Sequence, residues 1–373
     1  MTTETQKSAA VLAPTHEGRG DRLRRALAFD RIGAVYVWLG IIVIFAFWAS
    51  ETFPHVATAK QILNSNAITG LAALAITIPL CARVFDLSFA SVITLTGVSV
   101  TYFIHHDIGL VPSILLALAI ALACGIGNAF VIVVMKIDSF IGTLATGLLI
   151  SALVTVITNG QYISDERFSG SFADIAQTTV WGITLPVFYC FFVALGIWYL
   201  LEHTATGRRL YATGFNPDAA RLAGVRTERL RFGSLIASGL LAGATGIVLA
   251  SALASGSPTA GTPYLLPAFA AAFLGATQLK HGRFNAWGTV IAVLMLGTGI
   301  TGLALAPATA SRPWTQDMFI GVVLIASLAI TSLQRRKTVG TVGGKKALEQ
   351  TPSETGATSS ADEISAPHEP ERG

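Results

Sequence analysis

Long apolar segments recur along this chain between about residue 33 and residue 333. Crossing the hydrocarbon core of a bilayer takes about 20 mostly apolar residues in a helix. Only 12% of the residues are charged, whereas a water-soluble chain carries charge on roughly a quarter of its residues. The sequence therefore predicts an all-α, polytopic integral membrane protein with about ten transmembrane helices. The predicted segments are Gly33–Ser50, Asn64–Ala82, Ser88–Ile104, Val111–Met135, Ile141–Thr158, Leu185–Leu201, Phe232–Ala254, Leu265–Ala276, Asn285–Leu305 and Met318–Leu333.

The eighth segment, Leu265–Ala276, is too short to span a bilayer unless the residues before it also enter the membrane. Pro258, Pro263 and Pro267 lie around its start, and prolines so close together exclude a regular helix there. Two interpretations remain open. The proline-rich stretch is either a re-entrant segment or mouth loop where a solute-binding protein docks, or a plain connector.

Basic residues are distributed unevenly between the predicted loops. If the N-terminus is cytoplasmic, only Lys60, Arg167 and Arg312 of the 25 lysines and arginines fall in outer loops. Basic residues in short loops stay on the cytoplasmic side, so both termini are predicted to be cytoplasmic. The predicted organisation is a basic cytoplasmic tail (1–32), a transmembrane domain (33–333) with a long inner loop (202–231), and a disordered cytoplasmic tail (334–373).

Several functional classes lack their sequence signatures here. The glycine-rich stretch Gly340–Lys346 lacks the spacing and the hydroxyl of a nucleotide-binding loop. No metal-binding motif and no set of catalytic acids and bases is present, so catalytic and metal residues are predicted to be none. Ion-driven carriers hold ionisable groups at mid-membrane, and the predicted spans contain almost none. The three cysteines are interpreted as buried apolar residues, and no nucleic acid is needed to explain the basic charge.

The inner loop contains the signals of a short, well-capped helix. Asn216 is a good N-cap, Pro217 suits the first helical position, Asp218 complements the helix dipole and Gly224 can end the helix. Two interpretations remain open: an amphipathic connector on lipid headgroups, or a helix that docks into another protein. The small surface of Ala219, Ala220 and Ala223 favours docking, since lipid favours bulky apolar anchors.

Three ordered motifs resemble one transporter family. The segment Gly207–Val225 resembles the cytoplasmic loop of ribose-type sugar ABC transporter permeases. Val84-Phe-Asp-Leu-Ser-Phe-Ala-Ser91 is similar to that family's Gly-Ile-Asp-Leu-Ser-Val-Gly-Ser stretch. Ser257-Pro-Thr-Ala-Gly-Thr-Pro-Tyr264, followed by Ala270–Ala276, is similar to its Pro-Thr-Ala-Gly and Val-Leu-Gly-Gly region. The resemblance runs from about residue 64 to residue 333. Tyr264-Leu-Leu-Pro267 replaces the usual Tyr-Glu-Leu-Asp, which leaves the substrate open.

The resemblance implies a membrane subunit that imports a monosaccharide or polyol across the bacterial inner membrane. It implies a separate sugar-import ATPase that binds ATP and magnesium, a periplasmic or lipid-anchored solute-binding protein, and a second copy of this chain as a homodimer partner. No cofactor is expected in this chain itself, and membrane lipid surrounds it. The ATPase-coupling residues implied by the resemblance are Gly207, Asn216, Pro217, Asp218, Ala219, Ala220, Arg221 and Gly224.

Candidate residues for the translocation path are hydroxyl-bearing or lie at breaks between spans. Hydroxyls within spans most often bond to their own helix or to a neighbouring helix, yet those of the fifth span offer a polyol the most hydroxyl-rich route. Arg83 and Asp86 are predicted to pair and satisfy their turn; alternatively, the break from Pro79 to Asp86 is a discontinuous helix that lines the path. The candidates are Asp86, Ser88, Ser139, Thr143, Thr146, Ser151, Thr155, Pro258 and Thr259.

Three alternative functions remain. A permease for branched-chain amino acids or nucleosides shares the same helical plan. A self-contained secondary transporter needs no ATPase. A membrane-embedded enzyme is the third, and it lacks the acid, base or metal set that it would need.

Overall fold

The computed structural model describes residues 29–277, 282–306, 312, 314–326 and 329. The predicted tails therefore lie outside the described residues, apart from residues 29–32, as does Lys280 of the predicted inner loops. Within the described part, ten apolar helices form the bundle: α1 (Phe29–Trp48), α2 (Val56–Cys81), α3 (Phe89–His105), α4 (Leu110–Ala129, continued by the π-helical turn Phe130–Val134), α5 (Ser139–Thr158), α7 (Leu185–His203), α10 (Thr227–Leu253), α11 (Leu265–Thr277), α12 (Ala286–Leu305) and α13 (Trp314–Ala326).

Short elements connect the apolar helices. Helices α8 (Ala205–Phe215) and α9 (Pro217–Leu222) form the long inner loop. Before α7 in the chain come α6 (Asp174–Gln177) and a hairpin of β1 (Thr179–Val180) and β2 (Ile183–Thr184). The two strands pair antiparallel, with Thr179 opposite Thr184.

Each predicted segment overlaps one of the ten apolar helices, which confirms the all-α membrane fold; residues 327, 328 and 330–333 of the tenth segment lie outside the described residues. Six of them, α2, α4, α5, α7, α10 and α12, are long and apolar enough to cross a membrane. Helix α2 begins at Val56, before the predicted start at Asn64, and two of its polar side chains bond to the hairpin. Lys60 Nζ donates to the Trp181 carbonyl at 2.6 Å, and Asn64 Oδ1 accepts from the Thr184 amide at 2.9 Å.

Helix α10 forms the centre of the bundle and packs along α3, α4 and α2. Glycines on α10 allow this close approach, as the Gly-x-x-x-Gly spacing of Gly239 and Gly243 predicts. A Cβ atom at Gly239 would lie 2.8 Å from the Cα of Gly125 on α4, and one at Gly246 would overlap the Ile93 carbonyl on α3. The predicted role of the glycine pair in helix contact is therefore confirmed.

The peripheral helices leave most of their surface uncovered. In the apolar stretches of α4, α5 and α7, 28% of the residues are buried, against 67% in α10 and 72% in α2. The uncovered side chains include Leu115, Leu148, Leu149 and Phe192. Such apolar faces are suited to lipid or to another membrane-embedded chain.

The proline-rich stretch before α11 turns back into the bundle. The Gly256 amide and carbonyl pair with Ile163, at the end of the bundle where α3 finishes. Five residues later the Gly261 amide donates to Thr94 Oγ1 at 3.0 Å, in the second turn of α3. The chain thus returns to membrane depth before α11 begins at Leu265. This path favours the re-entrant interpretation over a plain connector, while docking of a solute-binding protein there stays a prediction.

The two ends of the bundle differ in charge. We call the end that carries the loops 82–88 and 135–138 and the helices α8 and α9 the basic end, because Arg83, Lys136, Arg208 and Arg209 lie there. Arg167 lies at the opposite end. The assignment of the basic end to the cytoplasm remains a prediction from the positive-inside rule.

Candidate functional site

A cavity of about 390 Å³ lies between α2, α11, α12 and α13. Its polar groups come chiefly from the half of α2 that is nearer the hairpin. Gln61, Ser65 and Thr69 recur every four residues and therefore lie on one face of α2. The polar lining residues are Gln61, Ser65, Asn66, Thr69, Tyr264, Thr301 and Gln316.

The first residues of α11 form part of the cavity wall. Pro263 and Pro267 both line it, and they flank the point where the re-entrant stretch becomes helical. Non-helical backbone at membrane depth is tolerated where it is buried in protein or lines a cavity. In transporters, half-helices that start inside the membrane direct their positive ends towards the solute. The cavity and the start of α11 together form the candidate solute site.

The cavity has a neutral lining. None of its fifteen lining residues in the described part of the chain is acidic or basic. Amide and hydroxyl groups both donate and accept hydrogen bonds, which suits an uncharged, hydroxyl-rich solute. None of these residues was among the predicted path residues, because Gln61 lies before the predicted second span and Ser65 and Thr69 lie near its start. Their four-residue spacing was the signal that could have identified them.

Two predicted path residues, Ser139 and Thr143, join α5 to the segment before α3. Ser139 Oγ accepts from the Phe85 amide at 3.2 Å, and Thr143 Oγ1 accepts from the Leu87 amide at 3.0 Å. These hydroxyls cap backbone donors that no helix satisfies. Their contacts are structural, and a role in solute passage stays a prediction.

The other predicted path hydroxyls of α5, on Thr146, Ser151 and Thr155, are less buried than Thr143. Thr155 Oγ1 donates to the carbonyl of Ser151 at 3.1 Å, within the helix, as expected for hydroxyls in spans. Ser151 and Ser91 are hydrogen-bonded hydroxyl to hydroxyl at 3.0 Å, between α5 and α3. Thr146 bonds to the Thr143 carbonyl at 3.2 Å. None of these residues lines the cavity, and neither do Pro258 and Thr259 of the re-entrant stretch.

Asp86 is buried beneath α10 and does not pair with Arg83, so the predicted ion pair is wrong. Its Oδ1 accepts from the Ser88 amide at 3.1 Å and from the Ser88 hydroxyl at 2.6 Å. Its Oδ2 accepts from the Ser238 hydroxyl at 2.7 Å. Asn128 on α4 donates to Ser88 Oγ. Burial raises the pKa of the Asp86 carboxyl, and the hydrogen bonds from the two serines oppose that rise.

This network joins three helices, because Ser88 precedes α3, Asn128 lies on α4 and Ser238 lies on α10. Helix α2 continues through Pro79 to Cys81, so the break begins after Cys81 and not at Pro79, and a role of this break in the path stays a prediction. Asp86 and Ser88 do not line the cavity.

The inner-loop helix α9 has the caps that its sequence predicts. Asn216 Oδ1 accepts from the amides of Asp218 and Ala219 at 3.1 and 3.0 Å. Gly224 follows the helix with a left-handed φ of 81°, which glycine adopts without strain. The predicted start and end of the helix are therefore confirmed.

Helix α8 holds α9 against the bundle. A Cβ atom at Gly207 would overlap the Leu201 carbonyl, so no larger residue fits at this bend. The Tyr211 hydroxyl donates to the Phe284 carbonyl at 2.7 Å, and the Arg283 guanidinium lies 4.0 Å from the centre of its ring. Burial raises the pKa of Tyr211 well above its usual range, which keeps the phenol protonated as a donor.

The exposed surface of α9 differs from the expected alanine surface. Ala220 is 6% exposed and faces the bundle, so it cannot touch a partner, whereas Ala219 and Ala223 are exposed. Two large apolar side chains are exposed there instead: Phe215, the last residue of α8, is 85% exposed, and Leu222, the last residue of α9, is 92% exposed. Large apolar side chains in such positions are typical of protein or membrane contacts.

Comparison with known proteins places this arrangement among permeases. The family model described as "Branched-chain amino acid transport system / permease component" matches residues 58–328. The ribose import permease protein of Escherichia coli strain K12 is 32% identical over 69% of this chain and 80% of its own length. The L-arabinose transport system permease protein of the same strain is 32% identical over 82% of this chain and 92% of its own length.

A third relative is the autoinducer 2 import system permease protein of Yersinia pseudotuberculosis. It is 28% identical over 82% of this chain and 84% of its own length. No solved structure shows a significant match to the chain.

Proposed function

The chain belongs to the family of branched-chain amino acid transport system permease components and is a permease of the sugar ABC importer type; from this premise we propose how it moves its solute. A monosaccharide or polyol passes inward through the cavity between α2, α11, α12 and α13. The single observation that carries this proposal is the neutral, amide- and hydroxyl-rich lining beside the start of α11.

The charge of the lining favours a sugar over an amino acid. A zwitterionic amino acid carries two full charges, and charges inside a membrane are stable only when they are compensated. The described lining offers no carboxylate for an ammonium group. The relatives above are also named for ribose, L-arabinose and autoinducer 2, so the branched-chain amino acid alternative is not favoured.

The energy for transport comes, in this proposal, from ATP hydrolysis on a separate chain. The docking surface for that ATPase consists of α9, which ends at Leu222, and of Phe215 at the end of α8. Because α9 contacts α8 and α10 and its Ala220 side chain is buried, movement of the ATPase would be transmitted to α10. Helix α10 contacts α2, which carries the polar stripe of the cavity.

The remaining partners complete an importer. The permease lies in the bacterial inner membrane with both termini cytoplasmic. A periplasmic or lipid-anchored binding protein delivers the solute at the end opposite α9. A second copy of the chain covers part of the apolar surface of α4, α5 and α7, most of which a single copy leaves exposed. In that dimer the exposed hydroxyls of Ser151 and Thr155 would face the partner copy or the solute.

The test is reconstitution of the full chain in proteoliposomes, together with the ATPase and the solute-binding protein encoded by neighbouring genes. We expect ATP-dependent uptake of a monosaccharide or polyol from a panel of sugars. Uptake that an ion gradient drives without ATP would indicate a secondary transporter. Uptake of leucine or a nucleoside in place of sugars would contradict the assigned solute class while leaving the ATP-driven mechanism intact.

A further inference from the structure

A second cavity lies at the basic end, beside α9, and has a volume of about 490 Å³. Its walls come from the loop after α2, the π-helical turn after α4, the start of α5, α9 and the start of α10. Of its eleven lining residues, four are basic and two are acidic. The basic residues are Arg83, Lys136, Arg221 and Arg231, and the acidic residues are Asp138 and Glu228.

The positive charge of this cavity is only partly compensated. The Asp138 carboxylate accepts from the amides of Phe140 and Ile141 at 3.0 and 3.3 Å and thereby caps α5. Arg231 Nε is buried, and no acceptor in the described part of the chain satisfies it. Buried donors normally have a partner in the protein or in a bound molecule. Arg221 lies 3.6 Å from the Asp218 carboxylate, which is outside the lining. Arg83, Lys136 and Arg231 still leave the cavity with an excess of positive charge, and Arg231 Nε adds an unsatisfied donor.

Two of the basic residues occupy positions where glycine is usual. Arg83 follows the end of α2 with a φ of 58°, and Lys136 follows the π-helical turn with a φ of 59°. Helices commonly end with glycine in this left-handed conformation, because a side chain there is strained. Both loops nevertheless place a long basic side chain at the cavity.

The surroundings of the cavity indicate a lipid. Val134, Met135, Phe140 and Ile141 are exposed apolar side chains next to it, at the ends of α4 and α5. These helices present apolar outer faces along their length, so the acyl chains of a lipid could follow them. Headgroup phosphates lie at the ends of spanning helices, and basic pockets between such helices on the cytoplasmic side bind anionic headgroups.

We propose that this cavity binds the phosphate-bearing headgroup of an anionic phospholipid. Arg83, Lys136 and Arg231 contact the phosphate from the ends of α2, α4 and α10. Arg221 contacts it from α9, so the lipid ties the inner-loop helix to the bundle. The inference goes beyond the proposed function, because it depends neither on the transported solute nor on the ATPase.

The experiment uses the full chain purified in detergent and native mass spectrometry with added phosphatidylglycerol or phosphatidylcholine. We expect the wild type to retain phosphatidylglycerol in preference to phosphatidylcholine. The double variant Arg83→Gln/Lys136→Gln should bind phosphatidylglycerol about 30-fold more weakly, since each basic side chain near an anionic surface contributes about 1 kcal/mol. If the double variant does not fold, the single variant Lys136→Gln should show about a fivefold loss.

The matched control is Arg226→Gln/Arg229→Gln, which removes the same charge near the start of α10 but outside the cavity. Its affinity for phosphatidylglycerol should equal that of the wild type. An equal loss in both double variants would mean diffuse attraction to the basic end and would overturn the proposal.

Two further results would overturn it. Inorganic phosphate that displaces the lipid and binds equally well in its absence would indicate a site for a soluble anion. Loss of the lipid whenever the ATPase is added would indicate that the partner protein fills the cavity.

Discussion

The Ser238 hydroxyl on α10 donates a 2.7 Å hydrogen bond to Oδ2 of Asp86, although 152 residues separate the two in sequence. This contact places a buried carboxylate beneath the central helix and supplies it with a donor from that helix. The other carboxylate oxygen, Oδ1, accepts from the amide and the hydroxyl of Ser88. Of these two partners, Ser238 lies farther from Asp86 in the sequence. The contact joins the start of α3 to α10.

Ser238→Ala should lower the free energy of unfolding by about 1.5–3 kcal/mol, the usual contribution of a hydrogen bond to a charged group. The thermal unfolding midpoint in detergent measures this effect. The loss should shrink as the pH falls. Burial raises the pKa of Asp86, so the charged carboxylate is destabilised relative to its protonated form. A protonated carboxyl group depends less on the Ser238 donor, so the substitution costs less at lower pH.

Ser234→Ala is the matched control, because Ser234 lies one turn before Ser238 on the same helix. Its hydroxyl donates to the Arg231 carbonyl of that helix at 2.7 Å. Equal losses in the two variants would argue against a special role for the contact with Asp86.

Leu222→Ala and Phe215→Ala should each weaken assembly with the ATPase about tenfold, because exposed apolar anchors dominate the free energy of protein interfaces. Co-purification of the two chains over a concentration series measures the affinity. Trp181→Ala removes an 85% exposed side chain at the hairpin, at the opposite end of the bundle, and should leave the affinity unchanged. Undiminished assembly of both the Leu222 and the Phe215 variant would refute the proposed docking surface.

The double variant Thr69→Val/Thr301→Val should reduce solute uptake about tenfold at low solute concentration. Each substitution removes one hydroxyl from the cavity lining while keeping a side chain of similar size. ATP-dependent uptake in proteoliposomes measures it. Thr245→Val is the control: its hydroxyl bonds to the Leu241 carbonyl of its own helix at 2.7 Å, away from the cavity. If the control impairs uptake as much as the double variant does, the cavity is not the solute site.

Gly239→Ala should destabilise the protein by about 1–3 kcal/mol, the usual cost of overpacking. The added Cβ would lie 2.8 Å from the Cα of Gly125, and neither backbone can yield freely. Gly233→Ala lies on the same helix with nothing within 4 Å of the added Cβ and should be neutral or slightly stabilising. A fluorescence-detected melting curve distinguishes the two, and a neutral Gly239→Ala would argue against tight packing of α4 on α10.

Acidification should loosen the loop between α5 and α6. Asp165 accepts from Arg167 Nε at 3.1 Å and lies 2.7 Å from His105 Nδ1. Hydrogen bonds from the Arg167 amide and from His105 lower the pKa of Asp165. Stabilisation from a lowered carboxyl pKa is present at neutral pH and is lost as the pH falls through the folded-state value.

Hydrogen exchange of residues 159–178 should therefore accelerate in acid relative to the rest of the chain. Asp165→Asn should produce the same change at neutral pH, and an unchanged exchange rate in that variant would contradict this role.

The spans, the caps of α9 and the glycine contacts of α10 could be predicted because each depends on local sequence. An apolar run of sufficient length favours the bilayer wherever its neighbours lie. Asn216 caps α9 through amides two and three residues ahead. The outward-facing side chains were predicted less well: Ala220 turned out to face the bundle, and the exposed anchors are Phe215 and Leu222.

A helical membrane protein with a capped inner-loop helix follows from the amino-acid sequence alone, because hydropathy and capping act between near neighbours and solvent. Which polar residues share a cavity, and which residue donates to Asp86, depends on how the helices pack together. Gln61 on α2 and Thr301 on α12 line the same cavity. Asp86 accepts a hydrogen bond from Ser238, whereas the sequence predicts an ion pair with Arg83. Such contacts between residues far apart in the sequence follow from helix packing, which depends on the surface shapes of distant segments rather than on any local pattern.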